Sequence, residues 1–364
     1  MLFRSKIALP RVDQWNVSLQ QQFGTRLTVD IAYVGNLAEK IYPGSTFGYN
    51  LNQWSLPTTP AELGNVSARM PYFNRFDNNG VVCCNTTLTS GAPAAHANYN
   101  GLQTSLKEQL KNGLSLNANY TWSKAMNNSG TYFNQDPALT YSRNDLNRTN
   151  VFNLYGVYEL PFGHGQRFMG GENKLVNYAV GGWELSGSST WMSGLPFTPT
   201  YAECNADEDV DTNLSGGVLC RPDGSAMSLP HGAQAFNTAT HTVTFFTPVA
   251  PLSQNGAASG PFQRPAFGTV GNSGRNSFVG PREFLANASL SKIFPITERV
   301  KGQFIFQAIN VFNHPALSLP TASNEANGPC IDCSLTAGGT PGQIVGLDQN
   351  VNMRQLQFAV RVSF

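Results

Sequence analysis

The 364 residues carry 23 Lys and Arg against 22 Asp and Glu, a net charge of +1, and 12% of positions are charged while 41% are hydrophobic and 11% aromatic. Charge is at about half the share usual in soluble domains, and with no run of Lys or Arg there is no electrostatic footprint for nucleic acid. No predominantly apolar stretch of about 18 or more residues occurs, which excludes a membrane-spanning helix, and the start MLFRSKIALPRVDQW lacks the apolar core of a signal peptide.

From the N-terminus onward, apolar residues recur with a period of two, the spacing at which side chains share one face of a strand. Trp15, Val17 and Leu19 open the series, followed by Leu27, Val29, Ile31 and Tyr33, then by Leu102, Thr104 and Leu106. GLSLNANYTWS is the cleanest case, because Leu114, Leu116, Ala118, Tyr120 and Trp122 alternate with Ser115, Asn117, Asn119, Thr121 and Ser123. Phe152, Leu154, Gly156, Tyr158 and Leu160 come next, then Trp183, Leu185, Gly187, Ser189 and Trp191. Segments from Phe284 to Phe294, Val300 to Phe312 and Leu356 to Phe364 complete a set of nine. The last one alternates to the terminal residue itself. Chain ends fray in water, so an ordered strand there has to be tied down.

The connections alternate in length. Short turns are expected at 23–24, 111–113, 161–181 and 295–299, and long loops at about 36–97, 127–149, 194–283 and 312–352. Such an alternation predicts an antiparallel meander with all long loops at one end and all short turns at the other. GHGQRFMGG at 163–171 is glycine-rich, but it follows Pro161 and is read as a turn that opens no amphipathic helix, which leaves no phosphate cradle.

Alternation alone fits both a soluble sandwich and a membrane barrel. Three details favour the barrel. The second face of each segment is Asn, Gln, Ser and Thr rather than Lys and Glu. Aromatics bunch at strand ends (Trp15, Tyr33, Trp122, Tyr158, Phe162, Trp183, Trp191, Phe294, Phe312 and Phe364), as two interfacial girdles require. Segments of about ten residues are long enough to cross a bilayer when tilted, and only a closed barrel satisfies the backbone there. The expected fold is therefore all-β, an antiparallel up-and-down transmembrane β-barrel wall of about nine strands spanning 1–364. Nine strands leave two edges open, so an incomplete barrel, a half-pipe, is expected.

By parity the charges Asp30, Lys107, Glu159, Glu184 and Arg361 fall on the polar face and would line the lumen. There they either solvate a water-filled interior and pair with one another, or touch a plug or a substrate. Lys292 and Glu108 fall on the apolar face near the turn end, where snorkelling to the interface is the natural account.

Candidate chemistry is sparse. The His residues (His96, His164, His231, His241 and His314) sit in segments read as turns or loops, without an H-E-x-x-H or G-x-S-x-G partner, so no enzyme constellation is read. Six cysteines (Cys83, Cys84, Cys204, Cys220, Cys330 and Cys333) fall between strands; bridges of Cys204 with Cys220 and of Cys330 with Cys333 are plausible, while a lone C-x-x-C with no second pair is a poor zinc site. In NADEDVDTN, Asp207, Asp209 and Asp211 have the 1, 3, 5 spacing of a calcium loop, but Thr212 and Val218 stand where glycine and the bidentate Glu belong. A structural calcium and a solvated acidic loop are both open; no other cofactor is expected.

Several stretches resemble the C-terminal barrel of TonB-dependent receptors, in particular the Oar-like group: VDQWNVSLQQQFGTRLTVDIAYVGNLAEKIY, ANYNGLQTSLKEQLKNGLSLNANYTWSKAMNNS, RNDLNRTNVFNLYGVYELPFGHGQRF, VGGWELSGSSTWMSGLPFTPT and GRNSFVGPREFLANASLSKIFPITERVKGQFIFQAINVFNHPAL. The resemblance implies a plug inside a barrel of about 22 strands and a TonB-box segment, neither of which is read in this chain, so a C-terminal fragment is expected. It implies import of a substrate captured at extracellular loops, with energy from TonB, and Phe364 matches the terminal aromatic that such barrels present to the assembly machinery. Implied partners are outer-membrane lipid and lipopolysaccharide, that machinery, TonB through the missing region and an unknown substrate. A structural or adhesive outer-membrane barrel, and a secreted carbohydrate-binding β-sandwich, are the alternative readings.

Overall fold

The computed structural model describes residues 8–42, 49–63, 65–77, 79–82, 85, 88, 91, 93–109, 113–128, 133, 136–171, 173–201, 220–224, 236–237, 239, 242–244, 262–297, 299–319, 343–344, 346–347, 351 and 353–364. Its strands in chain order are β1 (Arg11–Phe23), β2 (Leu27–Ile41), β3 (Ala95–Gln109), β4 (Leu114–Asn128), β5 (Tyr141–Arg143), β6 (Asn150–Glu159), β7 (Trp183–Met192), β8 (Pro196–Phe197), β9 (Phe236–Asn237), β10 (Thr242–Thr244), β11 (Phe278–Val279), β12 (Glu283–Pro295), β13 (Lys301–Ile309), β14 (Gln343–Ile344) and β15 (Gln355–Ser363). All nine segments with period-two patterning are long strands of a single sheet, ordered β1-β2-β3-β4-β6-β7-β12-β13-β15. Every neighbouring pair in it is antiparallel. No described helix is long and apolar enough to cross a membrane.

Each of the nine long strands pairs with the next long strand in the chain, so the sheet is an up-and-down meander. A tight turn joins β1 to β2, and Gly24 within it, like Gly113 just before β4, takes a positive φ, 62° and 79°, a left-handed conformation that costs other residues more. Strands β2, β3 and β4 reach 15 residues each, longer than the roughly ten that tilted crossing needs. The extra length lies at the loop end, so the 36–97 connection starts later and stops earlier than expected. His96 accordingly belongs to β3, stacked on Tyr141 at 4.3 Å between ring centroids.

Register keeps one face apolar across the whole sheet. One row runs Leu19, Ile31, Thr104, Tyr120 and Phe152 to Trp191 and Phe284. A second runs Leu185, Leu290, Phe306 and Phe358. A slip of one residue anywhere would have turned such a row to the other side. These side chains are not covered by a second layer: Val17 is 70% exposed, Trp122 57%, Phe358 69% and Val360 71%. In a β-sandwich the apolar faces meet each other, which is not the arrangement here. Apolar surface this extensive is stable when its solvent is lipid.

The two edges of the sheet are β1 and β15. They do not pair with each other, so the wall is open, as the half-pipe expectation required. Both run from the loop end to the turn end, a consequence of an odd number of alternating strands.

The connection between β6 and β7 corrects the sequence reading. It is not turn alone, because helix α1 (Lys174–Val180) follows the glycine-rich stretch, with Asn173 as its cap accepting from the Val176 amide at 2.9 Å. Seven residues make two turns at most, too short a window for a helical period to show.

Candidate functional site

The strand register places Asp30, Lys107, Glu159, Glu184 and Arg361 on the face opposite the apolar rows. Asp30 lies between Gln20 and Ser105, Lys107 between Thr28 and Asn117, and Arg361 opposite Gln303. Only Glu159 and Glu184 are brought together, directly across the β6–β7 ladder. Among the described residues no ion pair joins any of the five, so the mutual pairing considered from the sequence is not formed. Around them the face is held by neutral hydrogen bonds: Thr190 donates to Asn153 Oδ1 at 2.8 Å and Asn287 to Ser188 Oγ at 3.3 Å. Such a surface hydrates easily and offers amides and hydroxyls to a polar neighbour.

At the loop end a second polar assembly is built from charges that parity could not find. Arg275, 8% exposed, donates to the carbonyls of Asn127 (3.4 Å) and Thr140 (3.3 Å), to Ser142 Oγ (3.3 Å) and to Asp145 Oδ1 (2.6 Å). Its neighbour Asn276 donates to Arg143 O at 2.8 Å and to the same Asp145 oxygen at 2.6 Å, while its own amide donates to Thr198 Oγ1 at 2.9 Å. Arg148 donates to Ser193 O at 2.8 Å and pairs with Glu283. Arg221 is almost fully buried and donates to Leu139 O at 3.1 Å. Burial, with the Arg275 charge nearby, pushes its guanidinium down to about 10, below the ordinary arginine range.

An apolar cluster completes the cap. Trp54 and Phe133 are buried against Leu56, Val66, Met70, Leu139 and Val270, and Phe197 and Phe278 stack at 5.7 Å on paired strands β8 and β11. Residues from the β2–β3, β4–β6 and β7–β12 connections therefore interlock over the loop end. Arginines in a charge-poor chain that fall between strands were the available signal, since a charge buried in a loop needs partners from other loops. Which partners they find is not legible from spacing.

Lys292 and Glu108 occupy the apolar face at the turn end, as parity required. The Lys292 ammonium donates to Ala179 O (2.9 Å) and Gly181 O (2.8 Å) and sits 4.8 Å from the Trp183 ring centroid. Phe364 follows β15 at the same end and is 96% exposed. Cys220 is disulfide-bonded. Cys204, Cys330, Cys333, Cys83 and Cys84, together with Asp207, Asp209 and Asp211, lie outside the described residues. Among the described residues no group of three or more His, Cys, Asp or Glu is placed to hold a metal ion.

Comparison with known proteins agrees with this architecture. The model of a family described as "Outer membrane beta barrel domain" matches residues 3–357. No curated protein matches the chain. Similar solved structures include the ferric citrate transporter FecA in its unliganded form, at 10% identity over 97% of this chain and 31% of that one, with a TM-score of 0.40. The ferric-catecholate import receptor Fiu from Escherichia coli K12 is 9% identical over 97% of this chain and 27% of its own, with a TM-score of 0.39. The pyoverdine receptor FpvA from Pseudomonas aeruginosa PAO1 is 10% identical over 98% and 30%, with a TM-score of 0.40. The chain thus spans under a third of the length of these structures. With a one-sheet antiparallel wall, an uncovered apolar face and a family match across nearly its whole length, the chain belongs to the outer membrane β-barrel domain family and its place is the bacterial outer membrane.

Proposed function

We propose that the chain forms the C-terminal part of the barrel of a TonB-dependent outer-membrane receptor, whose whole binds a substrate at extracellular loops and imports it with energy from TonB. The observation that carries this reading is the direction of the open edges. β1 and β15 point the same way, so joining them, or joining two copies head to tail, would create a parallel seam in an otherwise antiparallel barrel. An odd number of further strands restores antiparallel pairing throughout. A barrel of about 22 strands needs about thirteen more, which is odd. The quoted sequence stretches that resemble such receptors support the same assignment.

In this reading the loop-end cap faces the outside and presents the connecting loops, Asp30, Lys107, Glu159, Glu184 and Arg361 line the lumen, and Phe364 serves the assembly machinery. Outer-membrane lipid and lipopolysaccharide surround the wall. Calcium at Asp207, Asp209 and Asp211 and a Cys204–Cys220 bridge would stiffen one capture loop, and a Cys330–Cys333 bridge another.

The deciding experiment is to translate the DNA upstream of Met1 in frame. A plug and an odd number of additional strand segments support the reading. A stop codon with its own promoter just before Met1 sinks it and moves a structural or adhesive barrel to the front. As an isolated piece the chain is expected to show no energised uptake in liposomes, since gate and coupling reside elsewhere in the receptor.

A further inference from the structure

The β6–β7 connection is packed on the apolar face of the wall. Three side chains that point to that face hold it there: the Trp183 indole donates to Ala179 O at 3.0 Å, Lys292 donates to Ala179 O and Gly181 O, and the Phe294 ring lies 6.5 Å from that of Tyr178. The Tyr178 hydroxyl also donates to Pro295 O. The glycines make the seating possible. A β-carbon on Gly182, at φ 70°, would fall 2.4 Å from Ile293 O, and one on Gly163 would fall 2.7 Å from Gly181 Cα.

So held, the segment turns large apolar groups outward. Leu175 is 82% exposed and Tyr178 48%; three residues apart, they share one face of α1. Phe168 (46%) and Met169 (43%) project from the preceding turn. Cations lie among them: Arg167 is 5.4 Å from the Phe168 ring centroid, and Lys292 is 4.8 Å from that of Trp183. An aromatic and aliphatic surface dotted with cations, at the end of a lipid-facing strand pair, has the chemistry of the headgroup boundary.

We propose that residues 161–182 are an interfacial membrane anchor that inserts Leu175, Tyr178, Phe168 and Met169 into the leaflet at the turn end, with Arg167 and Lys292 at headgroup depth. The occupant of this surface is lipid rather than a protein partner because the surface is continuous with the apolar face of β7 and β12, to which Trp183, Lys292 and Phe294 hold it. The inference rests on the outer-membrane location of the wall and not on the receptor assignment.

The test is Leu175→Trp in the full chain, refolded into vesicles of phosphatidylcholine brominated near the top of its acyl chains. Emission is read as the difference from the parent chain. The expected result is loss of the added emission in brominated vesicles and no loss on adding iodide to unbrominated ones. Quenching by iodide alone would show that the segment stands in water, and protection from both quenchers would show a protein contact; either overturns the proposal. Met169→Trp provides the same readout at an independent exposed position should the first variant fail to fold.

Discussion

Trp15 and Gly35 face each other across the β1–β2 ladder, and the indole fills the space that a side chain at position 35 would need: a β-carbon there would lie 2.5 Å from the ring. The pair covers an edge-strand backbone with an aromatic group on the lipid-facing side. Gly35→Ala is expected to swing the indole away at a cost of about 1–3 kcal/mol and to change Trp15 quenching by brominated lipid. Unchanged quenching and stability would show that the ring does not rest on Gly35.

The assignment of faces predicts opposite outcomes for adjacent residues. Val360 lies in the apolar row with Phe304, and Ala359 opposite Ile305 on the other face. Val360→Arg should cost about 2–4 kcal/mol near the bilayer midplane, and Ala359→Arg much less. Denaturant unfolding in lipid vesicles measures both. Equal costs would mean that neither face is distinguished by lipid.

The Arg148–Glu283 pair ties the β4–β6 connection to the start of β12, and its side chains are only 16% and 8% exposed. Glu283→Gln leaves a buried guanidinium short of its counter-charge and should destabilise the loop end by about 3 kcal/mol. Arg148→Met combined with Glu283→Gln should recover part of that loss, which thermal unfolding of the single and double variants will show. A double variant worse than the sum of the singles would contradict a paired burial.

A small acid-sensitive turn is predicted at Thr58. Its amide and hydroxyl donate to the Glu62 carboxylate at 2.6 Å and at 3.0–3.1 Å, which holds that group below its ordinary value of 4.5. A carboxylate with a lowered pKa in the fold adds order above its unfolded value and loses it as pH falls through the folded value. Protection of the Thr58 amide from hydrogen exchange should therefore exceed that of Glu62→Gln near neutrality, and the difference should vanish in acid. A difference that persists in acid would assign the turn to backbone geometry instead.

The long strands were legible because their outward faces obey one rule. Leu114 to Trp122 alternates with polar residues at every step, and the register then extends that alternation from strand to strand. Helix α1 was not legible, since Leu175 and Tyr178 are two points that fit several periods. The cap was legible least. Asp145 and Arg275 are 130 residues apart, yet bond at 2.6 Å, and nothing local links them. Polar satisfaction in loops is a long-range problem with many solutions in sequence and one in space.

By itself the sequence determined the number of long strands, their order of directions, the face that meets lipid and the end that carries the long loops, because a period of two and the alternation of connection lengths are local properties of the chain. Tertiary structure decided where Glu159 meets Glu184, which loops Arg275 and Arg148 join, and that α1 lies on the lipid-facing side beside Lys292. Those contacts depend on how far apart elements of the chain pack against one another, and that distance is not written in any window of residues.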